Sequence, residues 1–341
     1  MPNDSATRFI TLCACLLALV FCGLTSAREL TPITMCVFDF VGVGGPVHDE
    51  MKEYQIDAVR WGVDLTLKVY TDDRVASEEF KSGVCDMLNL PDIRAREYND
   101  FTGSISAVGA LPTYEHLGMV IKTLSHSSAA AFMRKGDYEV IGIAPLGAVF
   151  LFVNDKNIHA PRDLAAKRIT VLENAPATVY IAKTIGMTPV SSGIRNALQK
   201  FNNRVVDVTG APALAYEPME MYKGLEPNGG IINWPSLQVT MQLLVRWKKV
   251  PAGFGQKSRE LMANEYHNEI KEIEQSERAI PEKYWVNISD EAKDQWNDFF
   301  RQARISLRAD GVYHPKALTL FGRVRCKLDP RLAECTAKDQ E

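Results

Sequence analysis

Apolar residues along this chain switch repeatedly between an alternating spacing and a spacing of three or four, which predicts short strands separated by helices. Met35 to Phe40 (MCVFDF) reads as a first strand, rich in Val and Phe and closed by Gly42, Gly44 and Gly45. Pro46 suits the first turn of a helix, and that helix runs towards Trp61. Leu65 to Tyr70 (LTLKVY) alternates as a second strand, Val75 to Ser82 is a short helix, and Gly83 to Leu88 enters a third strand. This order predicts the start of a parallel sheet with helical crossovers.

Helix and loop mix between Asp92 and Gly136, with helical stretches at Asp92 to Tyr98 and Leu117 to Met133. The segment Gly142 to Val171 then gives three signals in order. A β-type run (Ala148 to Val153) precedes a turn closed by proline (Asn157 to Pro161). A basic segment, Asp163 to Arg168, follows and leads into a strand at Ile169 to Val171. Further on, Thr178 to Gly186 reads as a helix ended by its glycine, and Ile194 to Phe201 as another. Val205 to Val208 and Gly229 to Ile232 read as short strands. Gln238 to Trp247 (QVTMQLLVRW) is long and β-rich, suited to a strand that recrosses between two lobes. Two late helices carry apolar stripes, Met262, Tyr266, Ile270 and Ile273 on one, and Trp296, Phe299, Phe300, Ala303 and Leu307 on the other. Ser289 is the N-cap candidate of the second. Both stripes are read as core packing. The sequence holds no repeat and no Pro- or Ser-rich tether, so two lobes would be joined by strands.

The 341 residues suffice for two lobes with cores of their own. Apolar residues make up 46 % and charged residues 24 %, and the net charge of −3 with no long basic run excludes an electrostatic footprint for nucleic acid. The six His are scattered without metal-ligand spacing, and no Gly-x-Ser-x-Gly elbow or Cys/His signature appears, so no metal, cofactor or catalytic set is selected.

Phe9 to Leu24 is uncharged and dense in Leu, with Arg8 before it and Thr25-Ser26-Ala27 after it. This predicts a secretory signal peptide cleaved near Ala27, against the alternatives of an uncleaved anchor or a lipoprotein at Cys22. Cleavage would leave Cys36, Cys85, Cys326 and Cys335 in an oxidising compartment. The short loop between Cys326 and Cys335 favours a local bridge. Cys36 and Cys85 would then pair across neighbouring strands, the alternative being buried free thiols.

Several pieces match a known family in order. Leu111-Pro112 follows a helical region, and Leu146 to Asn154 is an apolar strand ending in Asn. Pro161-Arg162-Asp163-Leu164 steps into Lys167 to Val171, and Leu198-Gln199 and Val206-Asp207 follow, with Pro212 beyond. From about Ala110 to Leu261 the chain resembles the periplasmic receptors of TRAP transporters, the DctP-type solute-binding proteins. That resemblance implies an α/β, two-lobed periplasmic-binding-protein fold with crossover hinge strands. It implies lobe I from 28–147 plus about 239–275, lobe II from 148–238, and C-terminal helices with a disulfide tail over 276–341. In the family an Arg in the Lys-Ile-Arg strand clamps the solute carboxylate. Here Thr170 stands at that position, with Arg168 on the same strand face and able to take the clamp over. A second family Arg falls close to Phe150, and a family Asn close to Ala211. A site without the cationic clamp should favour a neutral or more apolar solute.

In open α/β sheets ligands sit beyond the carboxyl ends of strands. That rule selects Asp39 and Phe40, Asn89 and Leu90, Glu173 and Asn174, Thr209 and Gly210, and Asn233 with Trp234. Asp39 either holds the solute or bonds the loop amides after it, and Gly42 to Pro46 either binds an anion or makes a tight turn. Asn174 either contacts solute or caps a helix, and Trp234 either stacks on solute or ends a strand in the core. The expected function is a periplasmic receptor that captures a small molecule in an interlobe cleft and delivers it to a membrane permease, without catalysis or cofactor. The alternatives are a same-fold receptor for an ABC transporter or a sensor kinase, a periplasmic hydrolase using the cleft, and an adaptor that has lost its ligand.

Overall fold

The computed structural model describes residues 29–173 and 175–336, so the leader segment, with Cys22 and the cleavage site at Ala27, and Asn174 lie outside the described residues. Strand β1 (Thr31–Phe38) is followed by helix α1 (Pro46–Arg60), β2 (Val63–Tyr70), α2 (Asp73–Lys81) and β3 (Met87–Pro91). β1 lies between β2 and β3, parallel to both. Asp72 caps α2 by accepting from the amides of Arg74 and Val75. Asp92–Ala95 makes a single helical turn where a longer helix is expected, and α3 covers Tyr114–Ser125 rather than reaching Met133.

Two long strands then join the halves of the molecule. β4 (Tyr138–Val153) and, after β5 (Arg168–Leu172), β6 (Thr188–Ser192) and β7 (Val208–Pro212), β8 (Gly230–Arg246) run antiparallel over their length. The two segments expected at Gly229 to Ile232 and Gln238 to Trp247 are therefore one strand. They are continuous because β4 faces both, with residues 233–236 of β8 looping out between the pairs Leu151↔Ile232 and Val149↔Leu237. The main path of the ten-stranded sheet is β2-β1-β3-β8-β4-β7-β5-β6. One end of β8 pairs with β3 through Met241–Val245, and one end of β4 pairs with β7 through Val149–Val153. This is the two-lobed arrangement with crossing strands.

Helices α4 (Pro176–Ile185), α5 (Ile194–Asn202), α6 (Phe254–Ala279), α7 (Asp290–Ala309) and α8 (Pro315–Leu328) cover the sheet. The stripe of α6 is buried at Met262, Tyr266, Ile270 and Ile273. It lies so close to β4 that a side chain at Gly142 would meet the Met262 sulfur. On α7, Trp296, Phe300, Ala303 and Leu307 are buried, and Ser289 caps the helix through the Ala292 amide. Both disulfides form, Cys36–Cys85 beneath the first lobe's sheet and Cys326–Cys335 at the C-terminal end of α8. Arg325, buried beside the second bridge, donates to the Ala110 carbonyl and to Glu334 inside the disulfide loop, which ties the tail to the body. Among the described residues no helix is long and apolar enough to cross a membrane.

Candidate functional site

The parallel strands of each half end towards the crossing. β3 finishes at Pro91, and β5 and β6 finish at Leu172 and Ser192. A small recess open to solvent lies between these ends. One wall is Asp73, Pro91, Ile93 and Arg94; the other is Leu172, Glu173, Ser192, Gly193 and Ile194. The crossing strands β4 and β8 join the two halves that carry these walls. There β4 irregularities fall between Val140 and Gly142 and between Pro145 and Gly147, with Gly147 at φ +113°, a conformation side chains resist.

Arg94 is the cation among the lining residues, and it is already committed. Its Nε donates to Asp73 Oδ2 at 2.6 Å, and the two side chains are 8 % and 10 % exposed. The pair therefore presents little net positive charge to the cleft, whereas Glu173 adds a negative one. Asp92, next to Arg94's turn, is fully buried and accepts from the Thr240 amide and hydroxyl through Oδ2. Burial pushes its carboxyl up to about 7, against the Thr240 and Ile93 hydrogen bonds that pull it down.

Among the described residues, Asn89 Oδ1 on β3, Asp92 Oδ1, Ser192 Oγ at the end of β6 and both amide atoms of Gln238 on β8 are buried without a protein partner, and of these Ser192 lines the recess. Gln238 is 1 % exposed, opposite Ala148 where the chain crosses. An unpaired buried polar group costs about 1–3 kcal/mol, so each of these calls for a water or another group in the native state.

The candidates from the sequence divide. Asn89 is buried on β3 with its Oδ1 unpaired. Thr170 is buried on β5, its hydroxyl 2.6 Å from that of Thr209. Gly210 and Ala211 lie on β7, Ala211 buried opposite Phe150. Phe150 packs edge-on against Trp285 in the core of the second lobe. Phe40 is partly buried against the main core. Asp39 serves its own loop, since it accepts from the amides of Val41, Gly42 and His48. The Gly42, Gly44 and Gly45 amides go to Asp39 Oδ1, His48 Nδ1 and the Gly42 carbonyl, which makes Gly42 to Pro46 a tight turn. Asn233 is exposed and donates to Asn287. Trp234 sits in the bulge of β8 with Lys293 near its ring and its indole N–H buried without a partner.

Arg168 stands at the start of β5, the end away from the cleft. It grips Asp207 through Nε at 3.0 Å and Nη2 at 2.9 Å and also donates to the Arg204 carbonyl. That bidentate pair holds the Asp207 carboxyl down at about 2. The substitute clamp on Arg168 is thus engaged elsewhere. Sequence reasoning missed Asp73, Arg94, Ser192 and Gln238. The alternation Gln238, Thr240, Gln242 in an otherwise apolar strand was a readable signal for Gln238, because buried amides need partners. Nothing local marks the others.

Solved structures share this architecture. A TRAP periplasmic solute-binding protein from Desulfovibrio salexigens, with bound orotic acid, superposes with a TM-score of 0.71 at 11 % identity, covering 87 % of this chain and 99 % of its own. One from Haemophilus influenzae with bound L-gulonate gives 0.70 at 13 % identity, covering 86 % and 98 %. The fold is that of the TRAP periplasmic solute-binding proteins. At the level of sequence, the model for "Solute-binding protein AdeT 1/2" matches residues 48–340, and the chain belongs to that family. Probable solute-binding protein AdeT1 of Acinetobacter baumannii is 38 % identical over 304 residues, 89 % of this chain and 100 % of the relative. AdeT2 of the same organism is 27 % identical over 233 residues, 68 % and 98 %.

Proposed function

We propose that this solute-binding protein acts outside the cytoplasm, captures a small molecule between its lobes by hinge bending, and hands it to a membrane permease without altering it. The observation that carries the reading is the recess between the strand ends, whose two walls come from different lobes that β4 and β8 join. The lobes divide near residues 147 and 239, with 276–341 packing across them. The two Cys pairs fit an oxidising compartment reached through the leader that ends near Ala27. The TRAP-type fold favours a TRAP permease over an ABC transporter or sensor kinase as partner.

The solved neighbours named above hold carboxylates. Here Thr170 replaces the clamp cation and Arg94 is neutralised, which supports a neutral solute. The test is a compound library read by melting temperature, with each hit recovered afterwards. Hits that stabilise the protein and return intact support a receptor, and a hit that is turned over makes it an enzyme instead.

A further inference from the structure

Resting on the receptor reading, we infer that Ser192 and the first turn of α5 recognise the solute, and that they take an uncharged carbonyl oxygen, as in an amide, a lactone or a ketone. Ser192 carries the argument. It ends β6 on the wall of the recess, is 5 % exposed, and its hydroxyl has no partner among the described residues. Its carbonyl already accepts from the Glu173 amide, so the hydroxyl is the group left over. Gly193, the next lining residue, is the N-cap of α5 and has no side chain to serve the amides beyond it. The first bond inside α5 runs from the Ala197 amide to the Gly193 carbonyl. The amides of Ile194, Arg195 and Asn196 therefore have no acceptor within the helix.

The chemistry of these groups selects the occupant. The three amides donate and offer no lone pair, and the Ser192 hydroxyl can donate beside them. A carbonyl oxygen accepts two such bonds and brings no hydrogen of its own, whereas a solute hydroxyl brings one that only Ser192 can take. The aligned peptide dipoles of this nine-residue helix place about half a positive charge at this end, which suits the partial charge of a carbonyl oxygen. A carboxylate needs more, and the charged side chains nearby cancel. Arg94 is held by Asp73, and Arg195 in the first turn of α5 is matched in number by Glu173 on the wall. Pro91, Ile93, Leu172 and Ile194 give the rest of the solute an apolar lining. Room remains beside the donors, since a side-chain carbon at Gly193 would meet nothing within 4 Å.

The experiment uses the full mature chain and three pairs in which a carboxamide replaces a carboxylate: glucuronamide with glucuronate, succinamide with succinate, and orotamide with orotate. Titration calorimetry and thermal melts are run on wild type, Ser192→Ala, Gly193→Asn and Ile194→Pro. Gly193 sits at φ −75° and ψ 165°, so asparagine fits there and caps the free amides from within. Proline at the first helical position deletes the Ile194 amide and keeps the helix. At least one carboxamide should bind wild type tenfold or more tightly than its acid. Its affinity should fall about fivefold in Ser192→Ala and in Ile194→Pro, one hydrogen bond each. It should be lost in Gly193→Asn, which without ligand should melt at or above wild type; if that variant melts several degrees lower, the other two decide. A carboxamide bound equally by wild type and the variants overturns the inference, as does an acid bound more tightly than its carboxamide, and both leave the receptor intact. Native mass spectrometry of the purified protein separates the two claims. A co-purified carboxylate sinks only the solute class, whereas no co-purified molecule and no binding of any of the six probes sinks both.

Discussion

Asp73→Asn preserves the shape of one wall of the cleft while removing the charge that holds Arg94. In the folded protein the pair is 2.6 Å apart and about nine-tenths buried. Removing one member of such a pair costs about 3–5 kcal/mol, since the surviving charge stays desolvated. Glu97, 3.8 Å from Arg94 Nη1, retains part of the compensation and places the expectation near the lower end, about 3 kcal/mol. For a chain of this size that is a fall of roughly 4–5 °C in melting temperature. Arg94, now short of a counter-charge and lining the cleft, should recover that loss by gripping an added carboxylate. Urea and thermal melts with and without glucuronate or orotate measure both parts. A variant within about 1 kcal/mol of wild type would show that the pair behaves as an exposed one, against the burial argued here. A destabilised variant that acids fail to rescue would show that Arg94 does not face the solute.

Arg168→Ala should leave solute affinity unchanged, because its partners lie at the far end of β5; loss of binding in titration calorimetry would return the clamp to Arg168. The same variant tests a pH window. Asp207, depressed to about 2, contributes stability that is present above its unfolded value near 3.8 and is lost as pH falls through about 2. Acid melts of wild type should therefore lose stability there, and Arg168→Ala should lose less. Asp92 has the opposite sign, since its folded value near 7 exceeds 3.8. Stability should fall as pH rises from about 4 to 7, and Asp92→Asn should flatten that slope in urea titrations. The Cys36–Cys85 bridge closes a loop of 49 residues, for which chain entropy predicts about 4 kcal/mol, against roughly 2.5 kcal/mol for the 9-residue Cys326–Cys335 loop. Mild reductant followed by alkylation mapping should open Cys326–Cys335 first, because Cys36 and Cys85 are fully buried.

What could be read in advance followed from local causes. The stripes of α6 and α7 were legible because burial of one helix face leaves a spacing of three and four. Ser289 as a cap was legible because its partner amide lies in the next turn. The extent of β8 was less so. Asn233 to Ser236 looks like a break, and only β4 lying opposite both halves makes one strand of them. The single turn at Asp92–Ala95 likewise reflects a tertiary demand. Asp92 is drawn to Thr240, and Thr102 nearby to Gln242, so the segment follows β8 instead of completing a helix.

By itself the sequence determined the order of strands and helices and the local cysteine bridge, since each is a matter of residue identity and near neighbours. Tertiary structure alone decided which polar groups are spent and which are left over. Arg168 is spent on Asp207, 39 residues away, and Arg94 on Asp73, 21 residues away, and no local spacing encodes either pairing. Gln238 is left over for the same reason. Whether a buried amide has a partner depends on everything that folds against it, and at this crossing no described residue supplies one.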